Sequence, residues 1–225
     1  MRHFSIDKKS PVEPTFRVKK LMTDFDVSPE HSFEHFEGDF DIPDKWNVGL
    51  IVGGSGTGKT TIAKYMFGDK VISDFNYTHK SVIDDMPTIL TVEEISKLFY
   101  SVGFGSVPSW MKPYSVLSNG EKMRVDIARA IAERPMVVFD EFTSVVDRQV
   151  AKVASMAVAK AVRKQNKQFV AVSCHHDITD WLQPDWIFNT DTMKFSFTKG
   201  NDPSKRSSSE SANDRSGDTL GSITI

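Results

Sequence analysis

Cysteine is almost absent from this chain. A single Cys174 among 225 residues rules out an internal disulfide framework and suits a reducing compartment. No apolar run approaches the length of a membrane span, and the segment Met1 to Asp7 has no signal-peptide core, so the expectation is a cytoplasmic protein with no intrinsic membrane segment. Strong charge of either sign is also missing. At a formal -2 the chain has no general drive toward nucleic acid or anionic lipid, and nucleic acid is not indicated as a partner. The basic cluster Lys160, Arg163, Lys164 and Lys167 sits where a helix end favours cations. Cys174, His175 and His176 are consecutive, which is not metal-ligand spacing for zinc. Glutamine is missing from the whole stretch between Thr60 and Arg148. What remains is ordinary: 39% apolar and 26% charged residues, in a chain long enough to bury a core without staples.

The stretch that organises the rest is Gly53-Gly54-Ser55-Gly56-Thr57-Gly58-Lys59-Thr60, followed by Thr61. Before it, Val48-Gly49-Leu50-Ile51-Val52 has the length and β-branched content of a buried strand. After it, Ile62, Ala63, Met66 and Phe67 recur at helical spacing up to Gly68. A strand, a Gly-rich loop and a helix together make G-x-x-x-x-G-K-[ST] a phosphate cradle. Its backbone N–H groups and the helix N-terminus face the anion. Lys59 reaches the β- and γ-phosphates and the Thr60 hydroxyl ligates Mg²⁺ in such a loop.

Along the chain, residues 1–15 read as an extended lead-in. Thr15 to Val27 reads as a first strand region, and Phe33, Phe36, Phe40 and Ile42 suggest another, together a small β-layer. Thr91 opens a helix with capping-box spacing to Glu94, and Val92, Ile95, Leu98, Phe99 and Val102 form its apolar side before Gly103 ends it. Phe104 to Tyr114, with Gly105, Pro108 and Pro113, reads as irregular; its aromatics are either the core of a small helical lobe or a docking surface. A helix follows Ser118 to Pro135. Met136-Val137-Val138-Phe139 and Phe169-Val170-Ala171-Val172-Ser173 are continuous apolar runs of the kind a two-sided parallel sheet requires, with a helix from about Asp147 between them. Trp186 to Phe188 and Met193 to Thr198 close the chain as a hairpin. From Gly200 the composition is that of a disordered tail, residues 200–225.

Two further clusters carry chemistry. Asp140-Glu141 caps an apolar strand, where Asp140 can hold Mg²⁺ through water and Glu141 can orient and deprotonate an attacking water. Ser118-Asn119-Gly120-Glu121 fits a helix-capping box, and the same exposed helix N-terminus is an anion site. Presented from a separate lobe it cannot reach its own phosphate loop. A second copy of the chain, packed about a two-fold axis, would bring it over the partner's γ-phosphate.

In this order the motifs resemble the ABC-type ATPases over about Phe16 to Thr198: phosphate loop, signature Leu117–Glu121, Asp140-Glu141, a D-loop-like Ser144-Val145-Val146-Asp147, and His176-Asp177 like the switch histidine. The resemblance implies an α/β P-loop NTPase core with a mostly parallel sheet, an N-terminal antiparallel β-layer, and a short helical lobe at about residues 85–135 within a domain spanning 16–199. It implies ATP and Mg²⁺ as cofactors and a nucleotide-dependent homodimer that hydrolyses ATP. Ser118 and Gly120 would bind the γ-phosphate in trans, Asp147 would communicate across the dimer and His176 would sense the γ-phosphate. Phe25, with Phe33 as its rival, would stack on adenine.

Asn119 and Glu121 replace the family's usual Gly and Gln in the signature. The Q-loop glutamine is missing; Ser81-Val82-Ile83-Asp84-Asp85-Met86-Pro87 stands in its place, with Asp84 the candidate substitute near the metal. That change weakens a transporter assignment, and the short span from Thr61 to Val116 leaves no room for long coiled-coil insertions. The runs Glu141–Arg148 and Val172–Asp177 look closer to a soluble microbial and phage branch often joined to a predicted acetyltransferase domain, which makes a partner protein or fused effector an expectation. Two other readings stand beside the soluble ATPase: a transporter's ATPase subunit, and a nucleotide-gated switch with little turnover.

Overall fold

The structure is a computed structural model that describes residues 2–9, 12–27, 33–72 and 75–198. Strands β1 (Arg2–Lys9) and β2 (Phe33–Phe40) form an antiparallel pair. The central sheet holds β3 (Val48–Val52), β4 (Val71–Ile72), β5 (Met136–Phe139), β6 (Gln168–Ser173), β7 (Trp186–Asn189) and β8 (Lys194–Phe197), in the order β4-β5-β6-β3-β7-β8. All its pairings are parallel except β7 with β8. The helices are α1 (Phe16–Asp24), α2 (Lys59–Phe67), α3 (Val92–Ser101), α4 (Val107–Trp110), α5 (Asn119–Glu133), α6 (Arg148–Lys164) and α7 (Ile178–Leu182). Among the described residues no helix is long and apolar enough to cross a membrane.

Alternate residues of the buried strands feed two cores, as the two-residue period of a strand dictates. Leu50, Val52, Val137 and Phe169 pack on one face against Phe99, Ile127, Val158 and Ile178 of helices α3, α5, α6 and α7. Ile51, Val138, Val170 and Val172 pack on the other against Ile62, Trp186 and the inner residues Phe4, Phe36 and Phe40 of the β1/β2 layer. Gly49 is required in β3, because a Cβ there would lie 2.1 Å from the Trp186 ring.

The predicted fold class is therefore the observed one, but several local expectations are corrected. Thr15 to Val27 is not a strand: Thr15 caps α1, its Oγ1 accepting from the Val18 amide at 3.3 Å. Val18, Leu21, Met22 and Phe25 fit a helical stripe as well as the partial alternation suggested a strand. The second strand of the layer comes instead from the presumed lead-in, where Phe4 and Ile6 alternate with the polar residues His3, Ser5 and Asp7, and Phe4 is only 1% exposed. In the stretch expected to be irregular, α4 forms and Trp110 is core: its Nε1 donates to the Phe104 carbonyl at 3.0 Å. Val92, expected on the apolar side of α3, is exposed. The expected tail from Gly200 lies outside the described residues.

Candidate functional site

The phosphate loop leaves the carboxyl end of β3 and enters α2 at Gly58, as expected. Gly56 and Gly58 have φ of +80° and +81°, in the left-handed region that glycine alone enters without strain. At Gly58 there is a second requirement: an added Cβ would meet the Phe36 ring of β2 at 2.4 Å. Gly58 gives α2 no side-chain cap, so the first amides of the helix keep their donors for another acceptor. Lys59 folds back with Nζ 2.5 Å from the Gly54 carbonyl. Thr57 Oγ1 also donates to Gly54 O, at 2.9 Å.

A cavity of about 170 Å³ opens here, lined by Ser55, Gly56, Gly58, Lys59, Thr60, Thr61, Glu141, and by Lys8 and Glu34 of the β-layer. A larger one of about 630 Å³, lined by residues such as Asn47, Pro135, Gln168 and Asp185, lies at the opposite ends of the strands. The smaller cavity is the candidate site, because in open α/β sheets ligands bind at the carboxyl ends. Its positive-φ glycines and uncapped helix fit a phosphate chain. A divalent cation accompanying it would have the Thr60 hydroxyl as its protein ligand in the loop, with Asp140 at the next strand tip but one. Among the described residues no group of three or more His, Cys, Asp or Glu side chains converges as a metal cage, which is compatible with a Mg²⁺ held largely by phosphate and water.

Glu141 reaches this cavity from β5 even though β6 lies between β5 and β3. The tip of β5 is thus not directly beside the phosphate loop; the turn carries the carboxylate across. In that turn Glu141 and Thr143 have φ of +53° and +67°, strained for residues with a Cβ. The turn is held by Phe142, fully buried with its amide donating to Val172 O at 2.8 Å, and by Ser144, whose Oγ donates to Glu141 O at 2.7 Å. Asp140 accepts from the Glu141 amide at 2.9 Å.

His176 is tied to the phosphate loop through a residue that motif spacing did not reveal. Asp191 Oδ2 lies 3.3 Å from His176 Nε2, and Asp191 Oδ1 accepts from the Gly54 amide at 2.8 Å. Its neighbour Thr190 is buried, and its Oγ1 lies 2.6 Å from Thr57 Oγ1. The turn after β7 therefore grips the loop at two points. The signal was present only as polar residues directly after a buried strand, a pattern too common to single out. Asp177, beside the histidine, pairs with Arg148, and that hydrogen-bonded guanidinium holds its carboxyl below the usual range. Asp147 caps α6, accepting from the Gln149 and Val150 amides at 2.9 Å each.

The signature residues are elsewhere. Ser118, Asn119, Gly120 and Glu121 start α5 and none of them lines the phosphate cavity. Ser118 Oγ donates to Glu121 Oε2 at 2.8 Å and accepts from the Glu121 amide at 3.3 Å, a complete capping box. Gly120 packs toward α6, where a Cβ would come within 3.1 Å of Val150. Asp84 is exposed, bonded by Ser81, and is not among the residues lining the cavity. Its neighbour Asp85 is the structural one: burial pushes its pKa up, but bonds from His79 and from the Thr78 amide outweigh that and hold it low. Phe25 is 71% exposed at the end of α1, and Phe33 is 49% exposed with Lys9 over its ring.

No protein-family model matches the chain. Among curated proteins it is similar to the energy-coupling factor transporter ATP-binding protein EcfA1 of Staphylococcus aureus, 28% identical over 72% of this chain and 74% of the relative. Among solved structures it resembles the dimeric ATP-binding cassette MJ0796 in a post-hydrolysis state bound to ADP and Pi, with TM-score 0.54 and 16% identity over 74% of this chain and 93% of that one. A second dimeric MJ0796 structure gives TM-score 0.52 at 16% identity over 69% and 87%. The fold is that of an ATP-binding cassette. The chain is thus similar in sequence to a transporter ATP-binding protein and in fold to ATP-binding cassettes.

Proposed function

We propose that the chain is a cytoplasmic ABC-type ATPase domain, two copies of which close around two ATP molecules and separate after hydrolysis. The observation that carries this is the single cavity in which the phosphate loop, from Ser55 to Thr61, meets Glu141 from a different strand. A phosphate binder needs only the first; a hydrolase needs a base facing the same space. Lys59 and the α2 amides would hold the phosphates, and Glu141 would take a proton from the water that attacks the γ-phosphorus in line, ADP leaving. Mg²⁺, held by Thr60 and through water by Asp140, would neutralise charge on the phosphates. His176, placed through Asp191, would sense the γ-phosphate, and Phe25 would stack on adenine. Ser118 and Gly120 would serve the partner copy, which is consistent with their absence from the cavity of their own chain, while Asp147 would couple the two sites. The domain would begin at β1, not at Phe16, because β1 completes the layer packed on the loop.

The test is phosphate release with Mg-ATP from wild type and Glu141→Gln. Loss of a positioned base is expected to lower turnover by about 10²–10⁴-fold, with the variant trapped as a dimer on size exclusion. Equal, near-background rates would leave a nucleotide-gated switch, and a nucleotide-loaded monomer would remove the trans role of Ser118. One other reading has a specific support: similarity to a transporter ATP-binding protein favours a transporter subunit, which co-purification with a membrane protein would establish. The comparisons give no support to a fused acetyltransferase domain.

A further inference from the structure

The inner face of the β1/β2 layer is apolar until it reaches the phosphate loop, and there it turns charged. Cross-strand partners run Phe4 with Gly38, Ile6 with Phe36, and Lys8 with Glu34. By the strand period these residues share one face. Phe4 and Phe36 are buried in the core beneath, and Phe36 fills the space that a side chain at Gly58 would need. That contact fixes the layer against the loop, so the next pair along the face, Lys8 and Glu34, lands at the mouth of the phosphate cavity and lines it together with Lys59. Lys8 Nζ lies 3.1 Å from Glu34 Oε2, with both side chains about half exposed. A rim ion pair of this kind contributes little to stability. A lysine delivered to a cavity whose other cation is Lys59 is placed to do something else.

We propose that Lys8 is a second cationic ligand of the nucleotide's phosphate chain, held at the cavity mouth by Glu34 until phosphate oxygens replace the carboxylate. The proposal rests on the nucleotide-binding reading of the same site. Glu34 is then a competitor: its charge lowers affinity for the polyanion by occupying Lys8. The two residues have opposite effects, and most of Glu34's effect runs through Lys8.

The experiment is equilibrium titration of the full chain with ATP and, separately, with inorganic triphosphate, which has the phosphate chain but no base. Wild type is compared with Lys8→Met, Lys8→Arg, Glu34→Gln and the double variant Lys8→Met/Glu34→Gln, each checked for folding by circular dichroism. Lys8→Met is expected to weaken both ligands by roughly tenfold, as loss of one charge-assisted contact implies, with Lys8→Arg restoring most of it. Glu34→Gln is expected to tighten both several-fold in the wild-type background and distinctly less in the Lys8→Met background, where only its direct repulsion of the phosphates is relieved. If Lys8→Met binds both ligands as wild type does, or if Glu34→Gln acts equally without Lys8, the proposal is overturned while nucleotide binding stands. If folded wild type binds neither ligand, the nucleotide reading falls and this proposal with it. Should Lys8→Met fail to fold, Lys8→Gln takes its place in the same comparison.

Discussion

The chain starts two helices with glycine-containing turns that resemble anion sites, and they differ in who satisfies the helix amides. At α2 the N-cap is Gly58, which offers no side-chain acceptor, and the amides face a cavity. At α5 the N-cap is Ser118, whose hydroxyl accepts from Glu121, while the Glu121 carboxylate accepts from both the Ser118 amide and its hydroxyl. The first helix start has donors left over for water or an external anion. The second spends its Glu121 amide on its own cap and carries a negative charge where a partner's phosphate would arrive. A helix N-terminus is thus the stronger phosphate site the fewer of its amides its own sequence caps.

The comparison breaks hardest at Gly58. Gly58→Ala forces a Cβ onto a φ of +81° and into the Phe36 ring, so about 1–3 kcal/mol of stability should be lost. Nucleotide binding should go with it, seen by chemical denaturation and by titration with ATP. A variant as stable as wild type would show that the β-layer can move off the loop. Glu121→Gln sharpens the contrast from the other side. Glutamine can still complete a capping box, yet the charge is gone, and ATP-dependent dimerisation measured by sedimentation should strengthen by roughly tenfold, about 1.4 kcal/mol. Unchanged dimerisation would mean that the carboxylate never approaches the partner's phosphate.

Acidification tests the same box without mutation. Hydrogen bonds from Ser109 and from the Ser118 amide hold the Glu121 carboxyl below its ordinary 4.5. A carboxyl depressed in the folded state contributes stability that is fully present above its unfolded value and lost as pH falls through the folded one. Stability measured by denaturation should therefore decline below about pH 4.5, and the decline should shrink in Glu121→Gln. The smallest effect is expected at Asp191→Asn. Its Oδ1 can still accept from Gly54, so the fold should hold to within about 1 kcal/mol, while the weakened link to His176 should lower turnover more than it raises KM.

Much of this site was legible because it is contiguous. Gly53 to Thr60 and Asp140-Glu141 are each short runs that a reader meets whole, and the buried strands announce themselves as unbroken apolar runs. The α1 segment was misread because Phe16 and Val18 alternate with Arg17 and Lys19 as a strand would, while Val18, Leu21, Met22 and Phe25 recur at helical spacing, and no burial of α1 arbitrates between them. Asp191, Thr190, Lys8 and Glu34 were invisible for a different reason. They lie far from the phosphate loop along the chain and have no pattern of their own.

The sequence by itself determined the phosphate loop, the parallel core and the capped start of α5, because each follows from local periodicity, glycine conformation or hydrogen bonds between residues a few positions apart. Only the tertiary structure decided that Glu141 crosses past β6 to the loop, that Asp191 joins His176 to Gly54, and that the β-layer sets Phe36 and Lys8 against Gly58 and its cavity. Those contacts depend on strand order and on how the layer packs across the core, which no local spacing encodes.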